Sequence, residues 1–335
     1  MVTEQQVTES LKEVLIPEVM RSLVALNLVR QVVVSDQAVN ITLASTALSA
    51  GTQDWLIAKT KATVEKLPEV NKVEVEFIDV KPTELNHIDH IIAVMSGKGG
   101  VGKSLVASLT AVALKRQGYE VGILDADITG SSIPKMFGIT TPPGGSDTGI
   151  LPVISRSGIE IMSINLLLPH EDDAVIWRGP LMSRAITQFW EDVVWGKLDC
   201  LVVDLPPGTA DASLTVLQTI PVLGVIIVFT PQDLTTMIVR KAVNMAQKMD
   251  KPVLGVVENM AYLYVPEIDK KIELFGKSRG EEMAQAAKAP LLGQLPIDPE
   301  LARLCDEGTI ERYNSDAFTA MTQALTQILP WEVER

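Results

Sequence analysis

The chain has 335 residues, of which 47% are hydrophobic, 21% charged and 4% aromatic, with a formal net charge of −13 at pH 7. At roughly 100–200 residues per domain this length accommodates two or three domains, and the hydrophobic share excludes a disordered chain. The acidic balance argues against a general nucleic-acid binder, which needs clustered Lys and Arg for phosphates, and the scarcity of aromatics weakens any reading built on base stacking.

Residues 4–28 read as helical, with Leu11, Val14, Leu15 and Val19 on one side and Pro17 breaking or bending the run. Residues 31–34 and 39–43 are β-branched runs separated by Ser35-Asp36, which predicts two strands. Residues 52–67 read as a helix, and residues 73–78 alternate apolar side chains with Glu, as a strand does. Residues 1–80 are therefore expected to form a small α+β domain. Residues 81–90 are expected to form a polar linker containing Pro82, and residues 91–335 a second domain.

In that second part, short apolar runs recur at residues 91–95, 121–124, 159–163, 198–203, 224–229 and 253–257, with helical stretches between most of them. This alternation predicts an α/β fold with a mostly parallel, doubly wound sheet covered on both faces. Residues 142–146, Pro-Pro-Gly-Gly-Ser, read as a loop. The longest apolar run, residues 222–229, lies between Pro221 and Pro231 and is far short of the roughly 20 residues that span a bilayer. The start, residues 1–10, is polar and acidic and lacks the features of a secretory signal. Cys200 and Cys305 cannot build a disulfide framework, so a cytoplasmic, reducing setting is expected.

The run at residues 91–95 leads into Ser96-Gly97-Lys98-Gly99-Gly100-Val101-Gly102-Lys103-Ser104, and residues 105–116 read as a helix. This is G-x-x-x-x-G-K-S in the strand–loop–helix setting of an ATP-binding phosphate loop. Its glycines let successive backbone N–H groups converge on a phosphate that a Cβ would obstruct, and the helix N-terminus adds about half a positive charge. Lys103 is the candidate for the β- and γ-phosphates and Ser104 for Mg²⁺.

Two acidic strand ends follow. Asp127, in Asp125-Ala126-Asp127, is the candidate for positioning the attacking water, with Asp125 in support. Asp204 ends the apolar run Leu201-Val202-Val203 and is expected to contact Mg²⁺ through water. Gly208 is a candidate to offer its N–H to a γ-phosphate, and Asp211 either caps the next helix or belongs to a nucleotide-responsive segment.

The run K-G-G-V-G-K-S at 98–104 resembles the deviant Walker A loop of the nitrogenase-iron-protein, MinD and ParA class. The resemblance implies that the additional lysine, Lys98, reaches across a nucleotide-sandwich homodimer as an electrostatic stabiliser. Further motifs are D-A-D-I-x-G-x-S-I-P at 125–134, W-R-G-P at 177–180, D-L-P-P-G-T at 204–209, T-P-Q-D at 230–233 and V-E-N-M at 257–260. With these, residues 91–330 resemble the Mrp/ApbC P-loop ATPases, regarded as iron–sulfur cluster carriers or assembly scaffolds. Residues 1–80 look, more loosely, like the small domain often fused ahead of them. The resemblance implies a slow, partner-dependent ATPase. It also implies that Asn259 binds the adenine edge, which suits an amide with both donor and acceptor, although an Asn at a turn or cap competes with that role. Residues 295–298 would form the other wall of the base pocket, and Arg178 lies either near the dimer seam or in a salt bridge.

The chain departs from that family at its cargo site. A C-P-x-C would follow E-N-M; here Val265-Pro266-Glu267-Ile268 stands in its place, and Val and Ile cannot ligate iron. Ile16-Pro17-Glu18 replaces the usual Asp-Pro-Glu, and the loop at residues 45–52 has no cysteine. Cys200 reads as buried core, and Cys305 lies in a helical stretch at residues 298–306. His87 and His90 form H-x-x-H, read either as a metal site or as solvated linker residues.

Two readings follow. One is an ATP-dependent iron–sulfur carrier or assembly factor with divergent or partner-supplied ligands. The other is a cluster-free, ATP-driven switch that recruits a protein partner. No nucleic acid and no membrane is expected as partner: residues 316–329 carry Phe318, Met321, Leu325, Ile328 and Leu329 at helical spacing but no Lys or Arg, so packing against the body is preferred to a lipid anchor. A small-molecule kinase on the same fold would need a substrate pocket that no motif identifies.

Overall fold

The computed structural model describes residues 2–128, 130–168, 179–208, 211–232 and 235–329. Its contacts divide the chain into two compact units. One comprises residues 1–89, 142–154 and 188–198, the other residues 90–141, 155–187 and 199–335.

In the first unit the helix Glu4–Ser10 is capped by Thr3, with Gln6 returning to the Thr3 N–H. The chain then departs from the long helix expected over residues 4–28. After a 3₁₀ turn, Leu11–Glu13, residues Leu15–Ile16 pair with Arg21–Ser22 as a minimal hairpin. Pro17 disfavours helical backbone at the residue before it, and Met20 takes a left-handed φ of 51° to close the turn. Leu11, Val14 and Val19 are nevertheless buried, so their spacing marked core rather than helix. Strands Val29–Ser35 and Ala38–Ala44 form an antiparallel hairpin. The helix Ala50–Val64 then crosses over to Lys72–Ile78, parallel to Ala38–Ala44. Leu151 and Val194 join the same apolar cluster as Leu11, Leu26, Ile41 and Leu56. Residues 142–146, expected as loop, enter an antiparallel pair, Gly144–Ser146 with Gly149–Leu151.

In the larger sheet, seven strands lie side by side in the order Glu160–Ser163, Val121–Asp125, Lys197–Asp204, His87–Met95, Gly224–Phe229, Val253–Glu258 and Leu291–Gln294. Val121–Asp125 runs parallel to Glu160–Ser163 and to Lys197–Asp204, and Gly224–Phe229 runs parallel to His87–Met95 and to Val253–Glu258, which in turn is parallel to Leu291–Gln294. Val121–Asp125 and Gly224–Phe229 are buried along their whole length, as a sheet covered on both faces requires. The strand His87–Met95 starts before the residue 91 read from the apolar run, and successive strand residues point to opposite faces, so positions 87 and 90 do not share a face.

The helix Lys103–Arg116 packs on Val121–Asp125 and on the last helix, Asp316–Ile328. That last helix buries Phe318, Met321 and Leu325, and the Arg116 guanidinium stacks 5.2 Å above the Phe318 ring. Its apolar stripe is thus spent on the body. None of the described helices is long and apolar enough to cross a membrane.

Candidate functional site

Strand register assembles the site. Asp204 pairs with Asp125, and Asp125 with Ser163, at the carboxyl ends of three adjacent strands, the edge on which open α/β sheets bind ligands. The loop after His87–Met95 rises at the same edge. Ser96 Oγ donates to the Lys98 carbonyl at 2.8 Å, which folds the loop back on itself. Gly102 has φ 80° and ψ 31° and caps the helix Lys103–Arg116, a left-handed conformation that L side chains avoid. Its Cβ, were there one, would stand 2.2 Å from Asn259 Nδ2. At Gly100 the same position has nothing within 4 Å, so glycine keeps open the space beside the backbone.

Lys103 is 6% exposed. Its Nζ donates to Asp204 Oδ1 at 2.6 Å and lies 3.5 Å from Asp127 Oδ2. Ser104 Oγ donates to the second Asp204 oxygen. The Asp127 N–H donates to Asp125 Oδ1 at 3.2 Å. Ser131 and Ser163 hydroxyls both donate to Asp125 Oδ2, the latter at 3.1 Å. Burial, and then the Asp204 charge alongside, push the Asp125 carboxyl up to about 7. Burial also raises Asp204, against the pull of Lys103 and Ser104. Asp204 is the carboxylate that faces the ammonium, so the Lys103 charge opposes its protonation.

Lys98 Nζ donates to Gln232 Oε1 at 2.6 Å. Asn259 is 2% exposed; its Nδ2 donates to the Val101 carbonyl at 2.9 Å, and its N–H to the Phe229 carbonyl at 2.8 Å. One amide donor is thereby committed to the loop, which leaves a second donor and the carbonyl for a base edge. Glu258, fully buried, accepts from Ser278 Oγ, from the Arg279 N–H at 2.7 Å and from Gln294 Nε2 at 2.8 Å. Residues 295–298 run beside this strand end, with the Leu295 N–H on the Glu258 carbonyl at 2.8 Å. Pro296, Ile297 and Asp298 border a cavity of about 840 Å³ shared with Tyr262, Tyr264 and Arg303.

One expectation is corrected. The Gly208 N–H does not point to a free phosphate position, because it donates to the Ser96 carbonyl at 3.0 Å and so braces the loop. Arg178, Thr209 and Asp233 lie outside the described residues, as does the Asp211 side chain; the helix Asp211–Thr219 begins at Asp211 itself. Gln232, Ser131 and Ser163 are the residues that sequence reading left without a role. Gln232 sits in the T-P-Q-D motif and Ser163 ends an apolar run, and those were their only signals.

At the place of the absent C-P-x-C, the strand Leu263–Val265 turns through Pro266–Ile268 and pairs back along Lys270–Ile272, with Ile268 62% exposed. Cys200 is buried, and burial raises its thiol far above the ordinary range. The Cys305 thiol is pushed up to about 11 by burial and by Asp306. Neither is a ready thiolate. In the smaller unit, Thr52 Oγ1 donates to the Glu18 carboxylate, so Ile16-Pro17-Glu18 and the loop at residues 45–52 do meet.

A glycine loop between a buried parallel strand and a helix, with its lysine seated on the aspartate of a neighbouring strand, defines a P-loop NTPase. Residues 87–329 match the family model described as the NUBPL iron-transfer P-loop NTPase, and residues 4–77 the model described as iron-sulfur cluster assembly protein. The chain belongs to the NUBPL iron-transfer P-loop NTPase family. It is 40% identical over 319 residues to the iron-sulfur cluster carrier protein of Aquifex aeolicus, covering 84% of this chain and 87% of that one. To the carrier protein of Synechocystis it is 38% identical over 344 residues, covering 98% and 96%. Among solved structures, the nucleotide-binding protein of Archaeoglobus fulgidus in complex with ADP is 46% identical, covers 69% of this chain and 91% of that one, and superposes with a TM-score of 0.62. The cell division ATPase MinD of Pyrococcus furiosus, 20% identical at a TM-score of 0.52 over 72% of this chain and all of that one, shares the fold.

Proposed function

We propose that the chain is an ATP-hydrolysing, dimeric, cytosolic P-loop protein that acts in iron–sulfur cluster carriage or assembly. The observation that carries this reading is the seat of Lys103 on Asp204 beneath the Gly97–Ser104 loop, together with Ser104 on the same carboxylate. The hydroxyl and carboxylate are hard oxygen ligands suited to Mg²⁺, so Ser104 and Asp204 are the residues that would hold it. Bound there, the ion would neutralise phosphate charge. Lys103 exchanges its carboxylate contacts for phosphate oxygens. Asp127, next to the ammonium, orients the attacking water, and Asn259 with residues 295–298 holds the adenine. Lys98 neutralises phosphate charge in the closed dimer. Loss of the γ-phosphate then releases the segments after Asp127 and Asp204, which opens the dimer.

The cargo is a second question. Val265 and Ile268 stand where thiolates would be expected, and Ile268 is exposed on its turn. That observation favours an alternative in which the chain holds no cluster itself and works as an ATP-driven switch toward a protein partner.

The test joins ATP turnover of wild type and Lys103→Ala to iron and sulfide content after anaerobic reconstitution of wild type and Cys305→Ala. Turnover lost in Lys103→Ala supports the site. A stoichiometric cluster supports carriage, and its loss in Cys305→Ala would assign that cysteine as a new ligand. An iron-free dimer that turns over ATP supports the switch.

A further inference from the structure

Lys98 is held at its root and at its tip. At its root, Gly97 lies so close to the helix Thr235–Lys248 that a Cβ there would stand 2.2 Å from Ile238 Cγ2 and 2.5 Å from the Ile238 carbonyl oxygen. At its tip, the ammonium donates to Gln232 Oε1 at 2.6 Å, from the segment that leads into the same helix. Both side chains are half-buried. A lysine side chain is otherwise a flexible stem with many rotamers; here backbone packing sets its origin and one amide sets its end.

We infer that Gln232 is a positioning residue that retains the Lys98 ammonium within its own chain and thereby sets how readily that ammonium transfers to phosphate oxygens. This rests on the reading of Lys98 as the lysine that neutralises phosphate charge in the closed dimer. The chemistry fixes the direction. An amide oxygen carries a partial charge, whereas a triphosphate carries full charges, so phosphate displaces the amide. A carboxylate at position 232 would compete with phosphate far better, and a methyl group would not compete at all.

The test uses the full chain with Gln232→Ala, Gln232→Asn and Gln232→Glu, each alone and combined with Lys98→Ala. The readouts are ATP turnover at saturating ATP, and the protein concentration at which half the chain is dimeric with a non-hydrolysable ATP analogue. Gln232→Ala, and Gln232→Asn with its shorter reach, raise turnover and shift dimerisation to lower protein concentration. Gln232→Glu does the reverse, each by about three- to tenfold. Affinity of the monomer for a fluorescent ATP analogue stays within about twofold, since the contact lies on the transferring lysine rather than on Lys103. In the Lys98→Ala background the three substitutions lose their effect. Changes of the same sign for Ala and Glu, or effects that persist without Lys98, would show a merely structural role and overturn the inference. If Lys98→Ala slows turnover while all three Gln232 variants behave as wild type, the retaining contact alone is overturned. If Lys98→Ala itself changes neither readout, the underlying role of Lys98 fails, and the inference with it.

Discussion

Asn259 Nδ2 donates to the carbonyl of Val101 at 2.9 Å, and so ties the end of the strand Val253–Glu258 to the phosphate loop one residue before its left-handed glycine. The two positions are mutually exclusive with any side chain at Gly102, whose Cβ would lie 2.2 Å from that same nitrogen. Gly102→Ala therefore carries a left-handed backbone penalty of about 1–2 kcal/mol and also breaks the tie. The expected result is a lowered melting temperature with ATP affinity reduced at least about tenfold, read by thermal unfolding and nucleotide titration. Unchanged affinity would mean that the loop does not depend on this geometry.

Substitution at Asn259 separates bracing from base recognition. Asn259→Asp puts a carboxylate oxygen against the Val101 carbonyl in place of a donor, whereas Asn259→Ala only removes the bond. If the remaining amide groups read adenine, both variants narrow the preference for ATP over GTP, and Asn259→Asp weakens ATP binding more than Asn259→Ala. Competition titrations of the two nucleotides decide this. A lower affinity with the preference retained would leave Asn259 as a brace alone.

The parts of this site that were legible in the sequence are those whose information is local. Strand, loop and helix follow one another at residues 87–116, and the acids at positions 125 and 204 announce themselves as polar ends of apolar runs. Gln232 meets Lys98 across 134 residues, and Ser163 reaches Asp125 through sheet register, a tertiary property that no local pattern encodes. The Gly208 N–H went to Ser96 for the same reason. Residues 4–28 misled because apolar spacing marks what is buried before it marks how the backbone runs, and Pro17 turned the chain into a hairpin. Residues 142–154 and 188–198 group with the first unit through contacts distant in sequence.

The Lys103–Asp204 pair is buried on both sides, at 5% and 0% side-chain exposure. Lys103→Ala leaves a buried carboxylate without its ammonium, which costs about 3–5 kcal/mol for a pair of this kind. Lys103→Ala with Asp204→Asn removes the orphaned charge as well, so the double variant should recover part of the lost stability while turnover stays abolished. Urea unfolding of both variants, without nucleotide, measures the coupling. If the double variant is no more stable than the single one, the pair is not the dominant electrostatic contact of the buried site.

Asp125 gives the nucleotide-free protein a pH signature. Its carboxyl stands at about 7 when folded, against an ordinary 3.8, so between those values the folded state binds more protons than the unfolded state. The Asp125 contribution to stability then falls as pH rises from about 4 to 7, and levels off above that range. Asp125→Asn keeps an acceptor for Ser131 and Ser163 but cannot ionise and gives up the acceptor of the Asp127 N–H, so it should remove the part of this slope that Asp125 contributes while lowering stability at acid pH. Burial acts on Asp204 in the same direction, so a slope of the same sign remains. Urea midpoints measured across this range test the sign; a wild-type midpoint that climbs from pH 5 to pH 7 would contradict it.

The turn at residues 265–268 allows the cargo question to be asked by gain rather than loss. Val265 ends one strand of a two-stranded ribbon and Ile268 closes its 3₁₀ turn, and Ile268 is already 62% exposed, so cysteines there need displace no core. Thiolates are the ligands that iron–sulfur clusters require, and a cluster takes four of them. One chain would supply two and a second copy the rest. Val265→Cys with Ile268→Cys, reconstituted anaerobically, is therefore expected to bind iron and sulfide at about one four-thiolate cluster per two chains. Either single variant should fall well short. On the cluster-free reading the parent chain, with Cys200 buried and the Cys305 thiol raised to about 11, remains colourless. Visible absorption with iron and sulfide analysis distinguishes the cases. If the parent chain binds a stoichiometric cluster with Val265 and Ile268 in place, its ligands lie elsewhere in the chain or in a partner. If the double-cysteine variant dimerises with ATP yet takes up no cluster, the two turns do not meet in the dimer.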